Sequence, residues 1–195
     1  MKWLTGGGVV AALAVGGATA WGLGWRGVVL LFAFFVSGSL LSRLAGERDG
    51  QKTQRNYRQV LANGGVAALA GMLGSWRLAA AALAAATADT WATEIGSFSP
   101  HPPRLITTWK PVRTGTDGGV TLLGTAGGVA GTVLIWGCAA LLFSSSSAVV
   151  LAGLAGMLAD SLLGATVQGK RFDNDAVNLA ATVTGAGTAY LLLHR

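Results

Sequence analysis

Long apolar runs separated by short polar segments set the pattern of the chain. About 20 residues are needed to cross a hydrocarbon core, and seven runs approach or exceed that length: 4–23, 27–44, 60–74, 77–93, 118–143, 148–168 and 176–193. None shows the ten-residue alternation of a transmembrane β-barrel. The pattern therefore predicts an all-α, polytopic transmembrane helix bundle of about seven spans, forming one integral membrane domain over 1–195. The first run has some features of a signal peptide, because Lys2 precedes it and Ala18-Thr19-Ala20 offers the small residues of a cleavage site. Its continuation to Leu23, with a second run close behind, favours a retained helix.

Composition agrees with a membrane location. Hydrophobic residues make up 52% of the chain and charged residues only 11%, against about 25% charged in soluble domains, and mean hydropathy is +0.55. The 30 glycines, with many alanines, suit helices that associate in lipid through small residues and close backbone approach. The single cysteine, Cys138, lies in an apolar run, which excludes a disulfide within the chain and suggests no thiol metal site.

Charge orients the bundle. With seven spans, Lys2, Arg43, Arg48, Lys52, Arg55, Arg58, Arg104, Lys110, Arg113, Lys170 and Arg171 share one side, leaving Arg26, Arg77 and Arg195 on the other. The positive-inside rule then places the N-terminus and the basic loops in the cytoplasm, with the protein in the cell (inner) membrane. Orientation and anionic lipid account for the net charge of +6. No nucleic-acid motif is present, and no nucleic-acid partner is expected.

The acids have little influence on topology, so their placement is informative. All eight (Glu47, Asp49, Asp89, Glu94, Asp117, Asp160, Asp173, Asp175) fall in cytoplasmic loops or at cytoplasmic helix ends. Asp89 and Asp160 close otherwise apolar helices, where an unpaired charge costs at least about 2.5 kcal/mol, and should line a polar cavity. There is an internal echo: Asn63-Gly-Gly-Val and Asp117-Gly-Gly-Val open two hairpins that close on Ala-Asp89-Thr and Ala-Asp160-Ser. Duplication and chance both fit it, and either way four polar groups converge on one membrane face.

Three stretches carry candidate chemistry. In "ADTWATEIGS", Asp89 and Glu94 are about 7.5 Å apart along a helix and on different flanks; they could hold a hydrated divalent ion if the helix frays near Gly96, or Glu94 could cap the helix or pair with Arg104 or Arg113. In "KPVRTGTDGGV", Gly115, Gly118 and Gly119 allow main-chain amides close to a ligand, Thr114 and Thr116 add hydroxyls, and Lys110 and Arg113 add charged donors beside a helix N-terminus. That arrangement suits a phosphate, and it equally suits an ordinary Thr/Asp helix cap with packing glycines. After the sixth run, Asp160, Ser161, Gln168, Lys170, Asp173, Asp175 and Asn178 form an oxygen-rich group of the kind that suits magnesium. Gly164, one turn from Asp160, is expected to clear space beside it, and Asp173 or Asp175 is expected to cap the last helix. The Walker phosphate-loop pattern is absent, and His101 and His194 fall on opposite sides of the membrane, so no histidine site is expected.

"ADTWATEIG", "PRLITTWKPVRTGTDGGVTLLG" and "DSLLGATVQ" resemble signature stretches of an integral-membrane family long labelled as of unknown function. That family occurs in bacteria and archaea and includes a human transmembrane relative and the chloroplast phytyl-phosphate kinases. The resemblance is close from about Asn63 to Asn178. It implies transfer of a phosphoryl group from a nucleoside triphosphate, with CTP expected, to an isoprenyl or phytyl monophosphate. The implied cofactor is Mg2+, held by Asp89, Glu94 and Asp160, which serve as both metal ligands and catalytic residues. Lys110, Arg113, Thr114, Gly115, Thr116, Gly118, Gly119, Ser161 and Lys170 would cradle phosphates, while Asn63, Asp117 and Asn178 fix the nucleotide or metal waters. The partners are thus the nucleotide, the isoprenoid lipid phosphate and membrane lipids, with a homo-oligomer left open. A cytidylyltransferase making a CDP-lipid would use the same groups. A small transporter or flippase would be expected to place polar groups deeper in the span.

The topology has a direct check. Cysteines introduced near Lys52, Arg104 and Lys170 in a Cys138→Ala background should resist impermeant thiol reagents in intact cells, while one near Ser145 should label. Labelling near Arg104 from outside would reverse the orientation.

Overall fold

The computed structural model describes residues 3–49, 54–144, 146–169 and 171–194. Lys2, Lys52, Ser145, Lys170 and Arg195 lie outside the described residues, as do the side chains of Glu47, Arg48 and Asp49. Among the described residues the order is α1 (Gly6–Asp49), α2 (Tyr57–Met72), α3 (Trp76–Gly96), β1 (Arg104–Leu105), β2 (Gly119–Val120), α4 (Leu122–Leu142), α5 (Ser147–Thr166) and α6 (Asn174–Leu193). The all-helical architecture expected from the apolar runs is therefore present, with one small antiparallel strand pair added.

The first two apolar runs form one helix bent back on itself. Gly24 sits at φ 63°, ψ −159° inside α1, a conformation that glycine adopts without the Cβ penalty of other residues. Continued straight, α1 would carry Phe35 about 40 Å from Gly6. Instead the rings of Trp3 and Phe35 pack edge to face with centroids 5.7 Å apart. The two arms, 6–23 and 25–49, thus lie side by side, and Val15 and Leu31, one from each, both reach Gly64 of α2.

α3 is the axis of the bundle and packs against every other helix. Its residues 79–88 are all buried, and eight of these ten are alanine. A helix buried on all faces needs no amphipathic stripe, and alanine lets its neighbours approach closely. Added methyls would find no room. A Cβ on Gly156 of α5 would lie 2.8 Å from the Ala181 carbonyl oxygen, and one on Gly185 of α6 would lie 2.8 Å from the Ala85 Cβ. On α4, a Cβ at Gly128 would meet the Ala88 carbonyl oxygen at 3.0 Å. The large apolar side chains face outward instead: Leu122 and Leu141 are each 89% exposed and Trp21 86%, as expected where the surroundings are lipid. Buried threonines satisfy themselves on backbone carbonyls, and Thr182 of α6 also reaches the Ala62 carbonyl of α2 at 3.1 Å.

Four described helices are long and apolar enough to cross a membrane: α1 over Gly6–Gly46, α4, α5 and α6. α2 has only 16 residues, and α3, wrapped by the others, carries Arg77 and Asp89 among its alanines. Several expected boundaries shift for local reasons. α2 starts at Tyr57 rather than 60, because Asn56 and Gln59 form a reciprocal capping box. α4 starts at Leu122 rather than 118, because Gly119–Val120 pairs with β1 and Thr121 caps the helix, accepting from the Gly124 amide at 2.9 Å. α6 starts at Asn174, capped by Asp173 as expected, whose carboxylate accepts from the Ala176 amide at 3.0 Å.

Asp173 also pairs with Arg58 of α2, and Asp175 stands 3.5 Å from the same guanidinium. The Ala176 amide, then Arg58, hold the Asp173 carboxyl below its ordinary value. The stability it contributes is therefore fully present above the unfolded carboxylate value, about 3.9, and is lost as pH falls through the lower folded-state value.

Packing around Ala85 sets the fold prediction. Gly156→Val should lower stability in detergent by about 1–3 kcal/mol through overpacking, read as a lower thermal midpoint. Gly187→Ala, where an added Cβ meets open space, should hold or raise it. Equal midpoints for the two variants would contradict the close contact of α3, α5 and α6.

Candidate functional site

One end of the bundle encloses a polar cavity of about 1410 Å3. Its walls come from the last turns of α1, α3 and α5, the first turns of α2 and α6, and the segment between α3 and α4. Asn63, Asp89, Asp117 and Asp160, the four residues of the internal echo, all line it.

At the centre Asp89 of α3 and Asp160 of α5 meet, with their carboxyl groups within hydrogen-bonding reach. Both come from the closely packed α3–α5 pair, so alanine and glycine packing above them sets their separation. Two carboxyl groups in contact hold a shared proton or a cation between them. Among the described residues, the buried side-chain polar atoms with no hydrogen-bond partner are Trp3 Nε1, Ser39 Oγ and Asp160 Oδ2, and all three residues line this cavity. Buried polar groups are normally paired, so this end of the protein is built for polar contents.

Glu94, the third expected ligand, lines the same cavity as Asp89 and Asp160 and acts electrostatically on Asp89 and on Arg55. Its Oε1 also accepts from the Ser42 hydroxyl at 2.5 Å. Among the described residues no three His, Cys, Asp or Glu side chains converge closely enough to hold a metal ion. The Asp89–Asp160 pair still fits magnesium, which is commonly held by one or two carboxylates plus substrate phosphates and waters.

The segment between α3 and α4 folds as an ordered flap. Arg104 pairs with Val120 and Leu105 with Gly119; the Ile106 amide donates to the Gly118 carbonyl at 3.0 Å; and the Arg104 guanidinium donates to the Trp109 carbonyl at 2.8 Å. Thr114, Gly115, Thr116, Asp117, Gly118 and Gly119 line the cavity, as do Ser161 and Asn178, whereas Lys110 and Arg113 are exposed and outside its wall. The Gly119 amide, expected near a phosphate, instead donates locally to the Thr116 carbonyl at 2.9 Å, and the Thr116 amide donates to the Arg113 carbonyl at 3.1 Å. Asp117 accepts from the Gln168 side chain at 2.8 Å, tying the flap to the end of α5. Gly118, at φ 74°, lies directly on α5, and Gly164 makes room for the Asp117–Gly118 backbone rather than for Asp160.

Among the described residues, the cations that line the cavity are Arg43 and Arg55. Arg55 is held by its backbone, with its amide donating to the Trp3 carbonyl at 3.0 Å and its carbonyl accepting from the Thr5 amide at 3.1 Å. Its guanidinium lies 5.3 Å from the Phe34 ring centroid. Burial lowers its pKa from the usual value, and Glu94 opposes that shift. Charge counting assigned both arginines to topology; the capping signature Asn56-x-x-Gln59 beside Arg55 was the available sign that this segment is structured.

A helical bundle of this composition, with a carboxylate-floored cavity at one end, defines a polytopic membrane protein with a polar site near one membrane face. The chain belongs to the family Integral membrane protein DUF92, whose model matches residues 1–186. It is 39% identical over 192 residues to an uncharacterised membrane protein of Methanocaldococcus jannaschii, covering 91% of this chain and 81% of that one. It is 36% identical to Protein PGR of Arabidopsis thaliana, covering 74% of this chain and 65% of the relative. Protein VTE6, chloroplastic, of the same plant is 26% identical, covering 97% of this chain and 65% of the relative. No solved structure is significantly similar.

The flap can be tested apart from any activity. At Gly118 an added Cβ would stand 2.6 Å from the Ser161 carbonyl oxygen, while Gly115, at φ 85°, has open space. Gly118→Ala should therefore release the flap and increase proteolytic cutting within 97–121, whereas Gly115→Ala should cost only about 1–2 kcal/mol of local backbone strain. Equal cutting in the two variants would show that the flap does not rest on α5.

Proposed function

We propose that the chain is a magnesium-dependent membrane kinase that moves the γ-phosphoryl group of a nucleoside triphosphate, CTP by preference, onto an isoprenyl or phytyl monophosphate. The meeting of Asp89 and Asp160, with Asp160 Oδ2 buried and unpartnered among the described residues, carries this reading. Cavity size supports it: single-ligand pockets run about 300–1,000 Å3, and 1410 Å3 has room for a nucleotide and a second headgroup. The family resemblance to the chloroplast phytyl-phosphate kinases points the same way. In this reading the protein makes seven passes of the cell membrane with its N-terminus and cavity on the cytoplasmic side, where nucleotide is available.

In the reaction, an oxygen of the lipid monophosphate bonds to the γ-phosphorus, the bond from that phosphorus to the β–γ bridging oxygen breaks, and nucleoside diphosphate leaves. Such transfers depend on positioning and charge neutralisation more than on covalent chemistry by the protein. Asp89 and Asp160 would hold the magnesium, which would supply positive charge to offset that of the phosphates. Arg43 and Arg55 face the phosphates from the α1–α2 side. Thr114 and Thr116 offer hydroxyls from the flap, and Asn63, Ser161 and Asn178 complete the polar wall. Lys110 and Arg113 act from the rim, drawing anions toward the mouth.

Purified protein in nanodiscs, given magnesium, γ-labelled CTP or ATP and geranylgeranyl or phytyl monophosphate, should yield labelled lipid diphosphate and nucleoside diphosphate. Pyrophosphate with a nucleotidyl-lipid would instead identify a cytidylyltransferase. Asp89→Asn and Asp160→Asn should each lower transfer by orders of magnitude while detergent stability holds or rises, because a charge has left a low-dielectric site. A loss of about 3 kcal/mol or more in either variant would mark the pair as structural.

A further inference from the structure

A second cavity, of about 360 Å3, lies between the two arms of α1 and the start of α2. Its lining is almost wholly apolar, except at one end, where Arg55, Gln59 and Asn63 belong to its wall and to that of the polar cavity. Along its length it is bordered by Val9, Leu13 and Phe32, which are 45%, 71% and 59% exposed on the outer surface of the bundle. The slot is thus bordered by lipid-facing side chains along its side and by polar groups at its end. We propose that it holds the hydrocarbon chain of a single-chain lipid phosphate, with Arg55 anchoring the phosphate at the junction of the two cavities. The identity of the headgroup rests on the kinase reading above.

The polarity gradient selects the occupant. An apolar chain gains about 0.8 kcal/mol per buried methylene, so the slot retains the tail, while the guanidinium at its end suits a phosphate. Arg55 is placed for this by its backbone bonds to Trp3 and Thr5 and by Phe34 and Phe35, whose ring centroids lie 5.3 and 6.0 Å from its guanidinium carbon. Gly38 leaves space for it, since a Cβ there would stand 2.8 Å from the Arg55 Nη2. A phosphate held at Arg55 lies in the wall of the same cavity as Asp89 and Asp160, so the acceptor would enter sideways from the bilayer while the nucleotide enters from water.

Gly16 and Gly17 line the slot, and an added Cβ at either meets open space, so larger side chains there fill it without disturbing helix contacts. The test uses the full chain in nanodiscs without nucleotide and a prenyl monophosphate carrying a benzophenone at the far end of its chain. Photolabel should map to 9–35 and 60–64. Gly16→Leu or Gly17→Phe should lower labelling by about 15- to 60-fold, as for two or three displaced methylenes, while Gly187→Leu on the remote face of α6 should label like the unaltered protein. Arg55→Gln should weaken labelling by the phosphate probe and leave that by the matching uncharged prenol unchanged. Label on α4, α5 or α6, undiminished label in both slot variants, or equal competition by phosphatidylglycerol would overturn the proposal. Labelling in the slot without phosphoryl transfer would sink the kinase reading alone; transfer with labelling elsewhere would sink the slot alone.

Discussion

The close contact of α3 with its neighbours fixes the helix spacing throughout the bundle. Ala85 touches the faces of α5 and α6 where Gly156 and Gly185 lie, and Ala88 touches α4 at Gly128. In lipid no hydrophobic gain separates helix from helix, so van der Waals contact between small residues holds the bundle together. One or two turns further along the same helices the contact opens into the polar cavity, and Asp89 and Asp160 stand at that transition. Their meeting follows from the helix separation set by alanine and glycine above them.

The same construction explains why the polar machinery sits at one end. A deeper carboxylate would be costly to bury, and the alanine axis leaves no room for its partners. Toward the cavity, helix ends and capped starts supply polar groups that need no desolvated span: the Asn56–Gln59 box, Thr121 on Gly124, and Asp173 on Ala176. The flap closes the open side through Gly118 on α5 and Gln168 on Asp117.

Helix identity was legible in the sequence because apolar runs of bilayer length have few other solutions, and the placement of Asp89 and Asp160 was legible because charge at the end of an apolar run is expensive. The Asn63 and Asp117 echo likewise pointed to a shared face, and both residues line the cavity. What escaped was nonlocal or too short to show a period. β1 and β2 have two residues each, below any alternation signal, so the Gly118–Gly119 stretch read as a helix start. The Ser42 partner of Glu94 lies 52 positions away on α1. Arg55 carries the same charge as its neighbours in a topogenic loop, and only its burial beside Phe34 distinguishes it.

In the proposed site, Asp89 and Asp160 together bind a divalent cation in company with phosphate. Electron paramagnetic resonance of Mn2+ titrated into the purified protein, with and without a non-hydrolysable nucleoside triphosphate, measures this directly. The expected result is a bound Mn2+ signal that strengthens with nucleotide, shows coupling to phosphorus, and is lost in both Asp89→Asn and Asp160→Asn. The same bound signal in the unaltered protein and in both variants, or no bound signal at any nucleotide concentration in folded protein, would contradict it.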